Sequence, residues 1–324
     1  SSYHWLMAWM GLEDNTLAII PIISTQHHPR STEAATKYLL TQAAASAIIL
    51  FSSTTNAWHT GSWDITQMSS PLSNTLLTLA LAMKLGLAPV HFWLPEVLQG
   101  STMTIALIIT TWQKLAPMAL IYTTVNNTPP TMLLMLGLTS SVVGGWGGLN
   151  QTQTRKIMAY SSIAHLGWMA TVASMMTNIL ILNLLIYLVL TTTMFYSLIL
   201  LKTKTIKDTA ASWTTSPMLT IIMMLTLLSL GGLPPLTGFM PKWLILEELT
   251  VQKLVVLATM MALASLLSLF FYMRLSYTTT LTLSPNTVQT NHKWRFKPTN
   301  ITLPLIMLAP ITTLLLPMLP TMLM

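Results

Sequence analysis

The sequence predicts an all-α, polytopic membrane protein, and three observations support this prediction. Asp, Glu, Lys and Arg make up only 7% of the 324 residues, whereas hydrophobic residues make up 52%. A soluble domain carries about 25% charged residues, so the outer surface of this chain must face lipid. The apolar residues also form runs close to the length of about 20 residues that a membrane-spanning helix needs. We therefore expect a single membrane domain over residues 1–324.

Apolar runs between polar breaks predict about ten membrane spans. They lie near residues 3–23, 33–55, 73–95, 101–125, 131–150, 157–177, 178–201, 217–250, 254–276 and 301–322. The run 217–250 is too long for one straight helix, and its break Gly231–Pro235 predicts two half-helices. The segment Leu79–Val97 is interrupted by Gly and Pro in the same way. Such a pair of interrupted spans is typical of transporters built from inverted repeats.

Basic residues concentrate in the loops on one side of the predicted membrane. That side receives Arg30, Arg155, Lys156, Lys202, Lys204, Lys207, Lys293, Arg295 and Lys297, with Lys37 and Arg274 at helix ends. The other side receives Lys253 and Asp64. Loops rich in Lys and Arg stay on the cytoplasmic or matrix side, so this bias orients the chain. The bias also accounts for the net charge of +7 without a nucleic-acid partner.

The composition excludes several kinds of site. The chain has no cysteine, which rules out disulfides, thiolate nucleophiles and cysteine-ligated iron–sulfur clusters in it. It has no nucleotide-binding glycine loop, zinc motif or catalytic-triad spacing. The glycine cluster at Gly144–Gly148 predicts close helix packing instead. We therefore expect no metal and no cofactor in this chain.

Three lysines lie inside apolar runs, where a charge costs roughly 2.5–3.5 kcal/mol. They are Lys84, Lys114 and Lys242. A lysine near a helix end can extend its amine to the interface, but Lys84 and Lys114 lie far from the predicted ends. Glu13, near the middle of the first predicted span, is the matching acid. A lone buried carboxylate would take up a proton, so we expect an ion pair between Glu13 and Lys84.

Two histidines and several prolines belong to the same set. His165 lies within an apolar span, and His91 lies near the end of another. Histidine titrates near neutral pH and can pass a proton either way, although a hydrogen-bonded structural role is an equal alternative for His91. Proline frees the carbonyl four residues before it. Unpaired carbonyls near the lysines are therefore predicted, and these must meet protein or water; the prolines concerned are Pro89, Pro117, Pro234, Pro235 and Pro241.

Several strings in the sequence resemble a known family. They are His4–Glu13, Lys84–Val97 and Leu233–Trp243, supported by Asn150–Lys156 and Ser161–His165. They resemble the NADH dehydrogenase subunit 2 family, the mitochondrially encoded, antiporter-like membrane subunits of respiratory complex I. The resemblance covers essentially the whole chain.

The resemblance implies two inverted five-helix repeats with broken helices, in the mitochondrial inner membrane. It implies proton translocation driven by NADH oxidation elsewhere in the complex, and a further helix before Ser1. The implied partners are other membrane-arm subunits of complex I, lipids and protons, with no redox cofactor bound by this chain. The implied mid-membrane path runs along Glu13, Lys84, Lys114, His165 and Lys242.

Asp14 departs from the family pattern, which usually has an apolar residue after the glutamate. Successive residues of an α-helix point about 100° apart, so Asp14 cannot share the direction of Glu13. Asp14 either faces another helix or contradicts the simple pairing of Glu13 with a lysine.

Two other functional classes are compatible with the residues. A stand-alone cation/proton antiporter would use the same intramembrane acid and lysines, and co-migration with NADH dehydrogenase activity separates the two. A structural membrane spacer is disfavoured, because it has no need of three lysines inside the bilayer.

Overall fold

The computed structural model describes residues 2–214, 216–280 and 303–318, and these residues fold into α-helices joined by short connections. The predicted basic residues Lys293, Arg295 and Lys297, and the end of the last predicted span, lie outside the described residues. In chain order the helices are α1 (Trp5–Ser24), α2 (Pro29–Thr60), α3 (Pro71–Leu85), α4 (Trp93–Gly100), α5 (Met103–Thr110), α6 (Trp112–Thr124), α7 (Pro130–Gly148), α8 (Thr154–Ala173), α9 (Thr177–Leu201), α10 (Ile206–Ala211), α11 (Pro217–Gly231), α12 (Phe239–Val251), α13 (Val255–Thr279) and α14 (Leu303–Leu314).

The helices confirm the all-α prediction, and both predicted interruptions are present. Residues 73–95 divide into α3 and α4, and residues 217–250 divide into α11 and α12. In the described part of the chain, five helical segments are long and apolar enough to cross a membrane: Trp5–Ser24, Pro29–Thr60, Met103–Thr124, Thr177–Leu201 and Val255–Thr279. Fewer spans meet this criterion than the sequence predicted, because the half-helices are short. Helices α7 and α8 are long enough but are diluted by glycine, serine and, in α8, basic residues.

The fourth predicted span contains a break that the sequence analysis missed. Thr111 separates α5 from α6, with φ −110° and ψ −69°. Its hydroxyl donates a hydrogen bond to the Leu107 carbonyl at 2.7 Å, and such a bond to the preceding turn bends a helix. Lys114 therefore lies in the first turn of α6, rather than in the middle of one long helix.

Residues 1–143 and 162–180 form one compact unit, in which α2 packs against α1, α3 and α4. Near the start of α2, Lys37 Nζ lies 2.6 Å from a Glu33 carboxylate oxygen. The same amine lies 2.6 Å from a carboxylate oxygen of Glu96 in α4. Glu96 therefore joins two helices at this end of the unit.

The opposite end of the first unit carries Asp64. Here the Ile65 amide donates to the Tyr3 carbonyl at 3.3 Å, and the Asn127 amide side chain donates to the Thr66 carbonyl at 2.6 Å. The start of α1, the loop after α2 and the loop after α6 therefore meet at this end. Helix α2 has 32 residues. At 1.5 Å per residue it is about 48 Å long, enough to separate the two loop regions by a bilayer.

The described residues within 144–161 and from 181 onward form the second compact unit, in which α13 packs against α10, α11 and α12. The glycine cluster at the end of α7 belongs to this packing. A Cβ on Gly145 would lie 2.8 Å from Leu267 Cβ, and a Cβ on Gly148 would lie 2.7 Å from the ring of Phe271. These glycines let α7 and α13 approach closely, which confirms the packing interpretation.

The basic loops of the second unit lie together at one end of it. The guanidinium group of Arg274, in the last part of α13, donates to the Leu149 carbonyl and, at 2.6 Å, to the Gln151 carbonyl. The Thr154 amide donates to the Lys204 carbonyl at 3.2 Å. These contacts place the described basic loops of this unit on one side, as the charge bias predicted.

An acidic residue caps the short helix in this basic region. The Asp208 carboxylate accepts hydrogen bonds from the Lys204 amide at 3.0 Å and the Thr205 amide at 2.8 Å. Burial raises the pKa of Asp208, but the backbone donors outweigh it and lower that pKa below its ordinary value. Asp208 thus stabilises the start of α10.

We expect the two ends of α2 to be accessible from opposite sides of the membrane. Gln26 and Gln67 are both exposed and flank this helix. Because the chain has no cysteine, Gln26→Cys and Gln67→Cys each introduce its one thiol. In closed vesicles with the basic side facing out, a membrane-impermeant thiol reagent should label the Gln26→Cys chain and leave the Gln67→Cys chain unlabelled. Labelling of both variants in intact vesicles would contradict this topology.

Candidate functional site

The first broken helix ends beside a buried amine. Gly86 has φ 80°, a left-handed conformation that stops α3. The Met83 carbonyl accepts a hydrogen bond from the Trp93 indole N–H at 3.1 Å, whereas the sequence had pointed to the carbonyl of Leu85. Lys84 is 6% exposed, and no described residue hydrogen-bonds its Nζ. A buried amine without a protein partner is the feature expected of a functional group in a membrane interior.

The second broken helix holds its amine on a freed carbonyl. Gly232 has φ 75° and stops α11. Lys242, in the first turn of α12, donates from Nζ to the Gly231 carbonyl at 2.8 Å. This is the carbonyl that the sequence predicted from Pro235. The side chain of Lys242 also lies against Gly232, where a Cβ would come within 2.9 Å of Nζ.

The two breaks share one local design. Helices α3 and α11 each have 15 residues, and each begins with a proline that follows a serine. Each helix ends at a glycine with left-handed backbone angles, Gly86 or Gly232. Three residues after that glycine, a cis peptide bond precedes a proline, Pro89 or Pro235. At 1.5 Å per residue each half-helix is about 22 Å long, too short to span a hydrocarbon core about 30 Å thick.

The loops that lead into the two half-helices differ in charge. Helix α3 follows the loop that carries Asp64, whereas α11 follows a segment with Lys202 and Lys204 in a loop and Lys207 in α10. Two repeats of opposite membrane topology require this difference.

The carboxylate of Glu13 is held by hydroxyl groups. Thr16 Oγ1 donates to Glu13 Oε2 at 3.0 Å, and Ser46 Oγ of α2 donates to Glu13 Oε1. No salt-bridge contact joins Glu13 to Lys84 in the described residues, so the two groups do not form a direct contact, and their ion pair across a longer distance stays a prediction. Glu13 nevertheless lies close enough for its charge to act on Lys84. Two hydroxyl groups, rather than an ammonium group, are therefore in contact with the carboxylate.

A set of uncharged polar side chains near Glu13 and Lys114 was not found from the sequence. Asn15 Nδ2 donates to Gln113 Oε1 at 3.1 Å, and Gln113 Nε2 donates to Asn15 Oδ1 at 3.1 Å. The Tyr38 hydroxyl donates to Gln113 Oε1 at 3.2 Å. The ring of Tyr38 packs edge-on against Trp93, with centroids 5.9 Å apart. These contacts connect α1, α2, α4 and α6.

The remaining predicted residues are inside the helical units. Lys114 is 4% exposed in α6, and His165 is partly buried in α8. His91 lies in the first break, where its Nδ1 is 3.2 Å from the Pro89 carbonyl oxygen. This contact fits the structural alternative for His91. Glu13, Lys84, Lys114 and His165 belong to the first unit, and Lys242 belongs to the second.

Asp14 lies on the exposed face of α1. It therefore does not face a described helix, and it points away from the hydroxyl groups that hold Glu13. The departure of Asp14 from the family pattern leaves the surroundings of Glu13 intact.

Family models match the whole described length of the chain. Residues 2–268 match the transmembrane NADH:quinone oxidoreductase/Mrp antiporter family. Residues 269–323 match the C-terminus of NADH dehydrogenase subunit 2. The fold and the amine-bearing breaks thus define an antiporter-like membrane protein of this class.

Relatives and solved structures agree with this class. NADH-ubiquinone oxidoreductase chain 2 of Carassius auratus is 57% identical over 323 residues, covering 100% of this chain and 93% of the relative. The same protein of Squalus acanthias is 57% identical over 318 residues, covering 98% and 91%. The chain therefore belongs to the NADH-ubiquinone oxidoreductase chain 2 family.

Two solved structures have a similar fold. A chain of respiratory complex I from Thermus thermophilus, solved with bound aureothin, matches with a TM-score of 0.82 and 27% identity, covering 99% of this chain and 74% of that one. A chain of the Mrp complex from a Dietzia species matches with a TM-score of 0.74 and 15% identity, covering 91% and 67%. The second likeness concerns the fold alone.

We expect Gly238→Ala to destabilise the second break, whereas Gly231→Ala is tolerated. A Cβ on Gly238 would collide with the Ser229 carbonyl oxygen, although the backbone angles of Gly238 suit alanine. A Cβ on Gly231 meets its nearest neighbour, Leu269, at 3.8 Å, an ordinary contact. Overpacking costs about 1–3 kcal/mol or more, so the amount of assembled protein and its thermal stability should fall in Gly238→Ala alone. Equal stability of the two variants would contradict this geometry.

Proposed function

We propose that this chain is a proton-translocating, antiporter-like subunit of NADH:ubiquinone oxidoreductase in the mitochondrial inner membrane. It works with the other membrane-arm subunits of that complex and with surrounding lipid. The observation that carries the proposal is the pair of breaks of one design, each with an amine inside the membrane. A purely structural bundle gains nothing from such breaks, because each leaves polar backbone groups in need of partners.

The proton path in this proposal begins at Glu13. When Glu13 takes up a proton its negative charge disappears, and the buried amine of Lys84 loses the charge that stabilises its ammonium form. Lys84 then releases its proton inward. The structure supports this step with a buried Nζ that no described residue hydrogen-bonds, so no hydrogen bond to the protein has to break when the proton leaves.

The path continues through Lys114 and His165 and leaves by Lys242. Lysine and histidine are groups whose protonation a membrane interior can readily change. At Lys242 the Gly231 carbonyl stabilises the ammonium form, which balances the cost of removing that charge from water. His91 is a weaker candidate, because its ring is bound to a backbone carbonyl.

The electron transfer that drives this path belongs to partner subunits. The chain has no cysteine to hold an iron–sulfur cluster, and we propose that it binds no redox cofactor. A stand-alone cation/proton antiporter is not favoured by a specific observation, since the relatives at 57% identity are named as oxidoreductase chains. The likeness to an Mrp complex, at 15% identity, does not extend to function.

Replacing Lys114 with methionine tests the central step. Lys114→Met keeps the apolar stem and removes the proton site. Because positioned proton-transfer groups contribute about two or more orders of magnitude, NADH-driven quinone reduction and proton translocation should fall together by about tenfold or more. NADH oxidation by an artificial acceptor, which needs only the redox subunits, should remain.

The matched control for this variant is Lys207→Met, which removes an exposed lysine of α10. Its turnover and proton translocation should stay at the unsubstituted level. Normal proton translocation in an assembled Lys114→Met complex would rule out an essential relay at this position.

Two substitutions at Lys242 separate its structural role from proton transfer. Lys242→Arg keeps a donor for the Gly231 carbonyl but does not release its proton, because a guanidinium group stays charged. Lys242→Met removes both, and leaves a buried carbonyl unpaired at a cost of about 1–3 kcal/mol. We expect both variants to lose proton translocation and Lys242→Met alone to lose stability. Retained translocation in Lys242→Arg would show that the residue is only a structural donor.

A further inference from the structure

The amide side chains of Asn15 and Gln113 form a reciprocal pair between α1 and α6. Each amide donates to the oxygen of the other at 3.1 Å. Gln113 Nε2 also lies 3.4 Å from the Asn15 carbonyl oxygen, and the Tyr38 hydroxyl adds a third donor to the pair. Tyr38 is 1% exposed, so the arrangement is fixed from the α2 side as well.

The pair lies next to two residues of the proposed path in the sequence. Asn15 follows Glu13 by two residues, and Gln113 directly precedes Lys114. Side chains two residues apart on a helix point about 200° apart. When Asn15 faces α6, Glu13 therefore faces the other side of α1, toward α2. That is where Ser46 donates to the Glu13 carboxylate. The amide contact therefore fixes the rotation of α1 about its own axis.

The same contact also fixes the start of α6. The break at Thr111 and the proline at Pro117 both interrupt backbone hydrogen bonding near Lys114. A short, interrupted helix is held less firmly by its own backbone. Gln113 replaces part of that support with side-chain hydrogen bonds to α1 and α2.

We propose that the Asn15–Gln113 amide pair, held by Tyr38, is a positioning device that sets the distance between Glu13 and Lys114 and so couples their changes of charge. This inference rests on the proposed function of those two residues. Carboxamides suit the task because they donate and accept hydrogen bonds without titrating. They keep the two helices in place while the neighbouring groups gain and lose protons.

The pair is also specific in shape. The Asn15 side chain has one methylene group and the Gln113 side chain has two. Together the two side chains span the distance between α1 and α6, because their amide groups meet at 3.1 Å. Changing one member alone makes the pair too long or too short, whereas exchanging the two side chains restores the combined length. A fully satisfied polar network of this kind specifies one arrangement of its helices.

The exchange gives a direct test. Asn15→Gln and Gln113→Asn should each lower the number of protons translocated per NADH by roughly twofold or more, a usual size for a disrupted coupling. The double variant Asn15→Gln/Gln113→Asn should recover most of the ratio. Gln67→Asn, an exposed residue of the same unit, is the matched control and should keep the full ratio. The amount of assembled complex is measured in parallel by native gel electrophoresis of the intact complex.

The outcomes distinguish this inference from the proposed function. Unchanged ratios in both single variants, while Lys114→Met abolishes translocation, would overturn the positioning role alone. Loss in the single variants without recovery in the double variant would also overturn it, since the two residues would not act as a pair. Unimpaired translocation in Lys114→Met would remove the proposed path itself.

A milder variant covers the case in which the amide variants do not assemble. Tyr38→Phe removes one hydrogen bond to Gln113 and keeps the ring contact with Trp93. It should assemble normally and lower the protons translocated per NADH. A full ratio in Tyr38→Phe would contradict the role of Tyr38 in holding the pair.

Discussion

A carbonyl that loses its helical hydrogen bond inside a bilayer must find another donor, and this constraint organises the polar interior of the molecule. At the second break the Gly231 carbonyl finds the amine of Lys242. At the first break the Met83 carbonyl finds the indole N–H of Trp93, and the neighbouring amine of Lys84 is left without such a bond. One local design thus gives two amines in different states: one held by the backbone and one without a described hydrogen-bond partner.

That difference bears on what each amine can do. An amine bound to a carbonyl favours its ammonium form, because the bond stabilises the charge. An amine without such a bond depends on nearby charge, and for Lys84 that charge is Glu13. Lys84 therefore interacts with Glu13 through space, whereas Lys242 is in contact with the backbone.

The sequence predicted the features that depend on local chemistry. Runs of apolar residues predicted the membrane spans. Glycines and prolines predicted both breaks, because Gly86 and Gly232 adopt left-handed backbone angles that most other residues avoid. The carbonyl bound by Lys242 is one of those that the prolines of the second break were predicted to free. The lysines themselves were conspicuous because charge is rare in this chain.

The features that the sequence did not predict depend on contacts between distant residues. The break at Thr111 has no glycine or proline and arises from a hydroxyl bonded to the preceding turn. Glu96 meets Lys37 across two helices, a contact that no spacing rule contains. Asn15 and Gln113 are 98 residues apart and uncharged, so neither is conspicuous in the sequence.

The surroundings of Glu13 differ most from the prediction, and the difference favours proton transfer. A tight ion pair with lysine would stabilise the ionised carboxylate and resist protonation. Hydroxyl groups impose no such preference, since a hydroxyl donates to a carboxylate and accepts from a carboxylic acid by rotating its hydrogen. Thr16 and Ser46 are such partners of Glu13, so the heavy atoms of this contact fit either direction of the hydrogen bond. The charge of Glu13 then reaches Lys84 through space, so the change of state needs no contact to break.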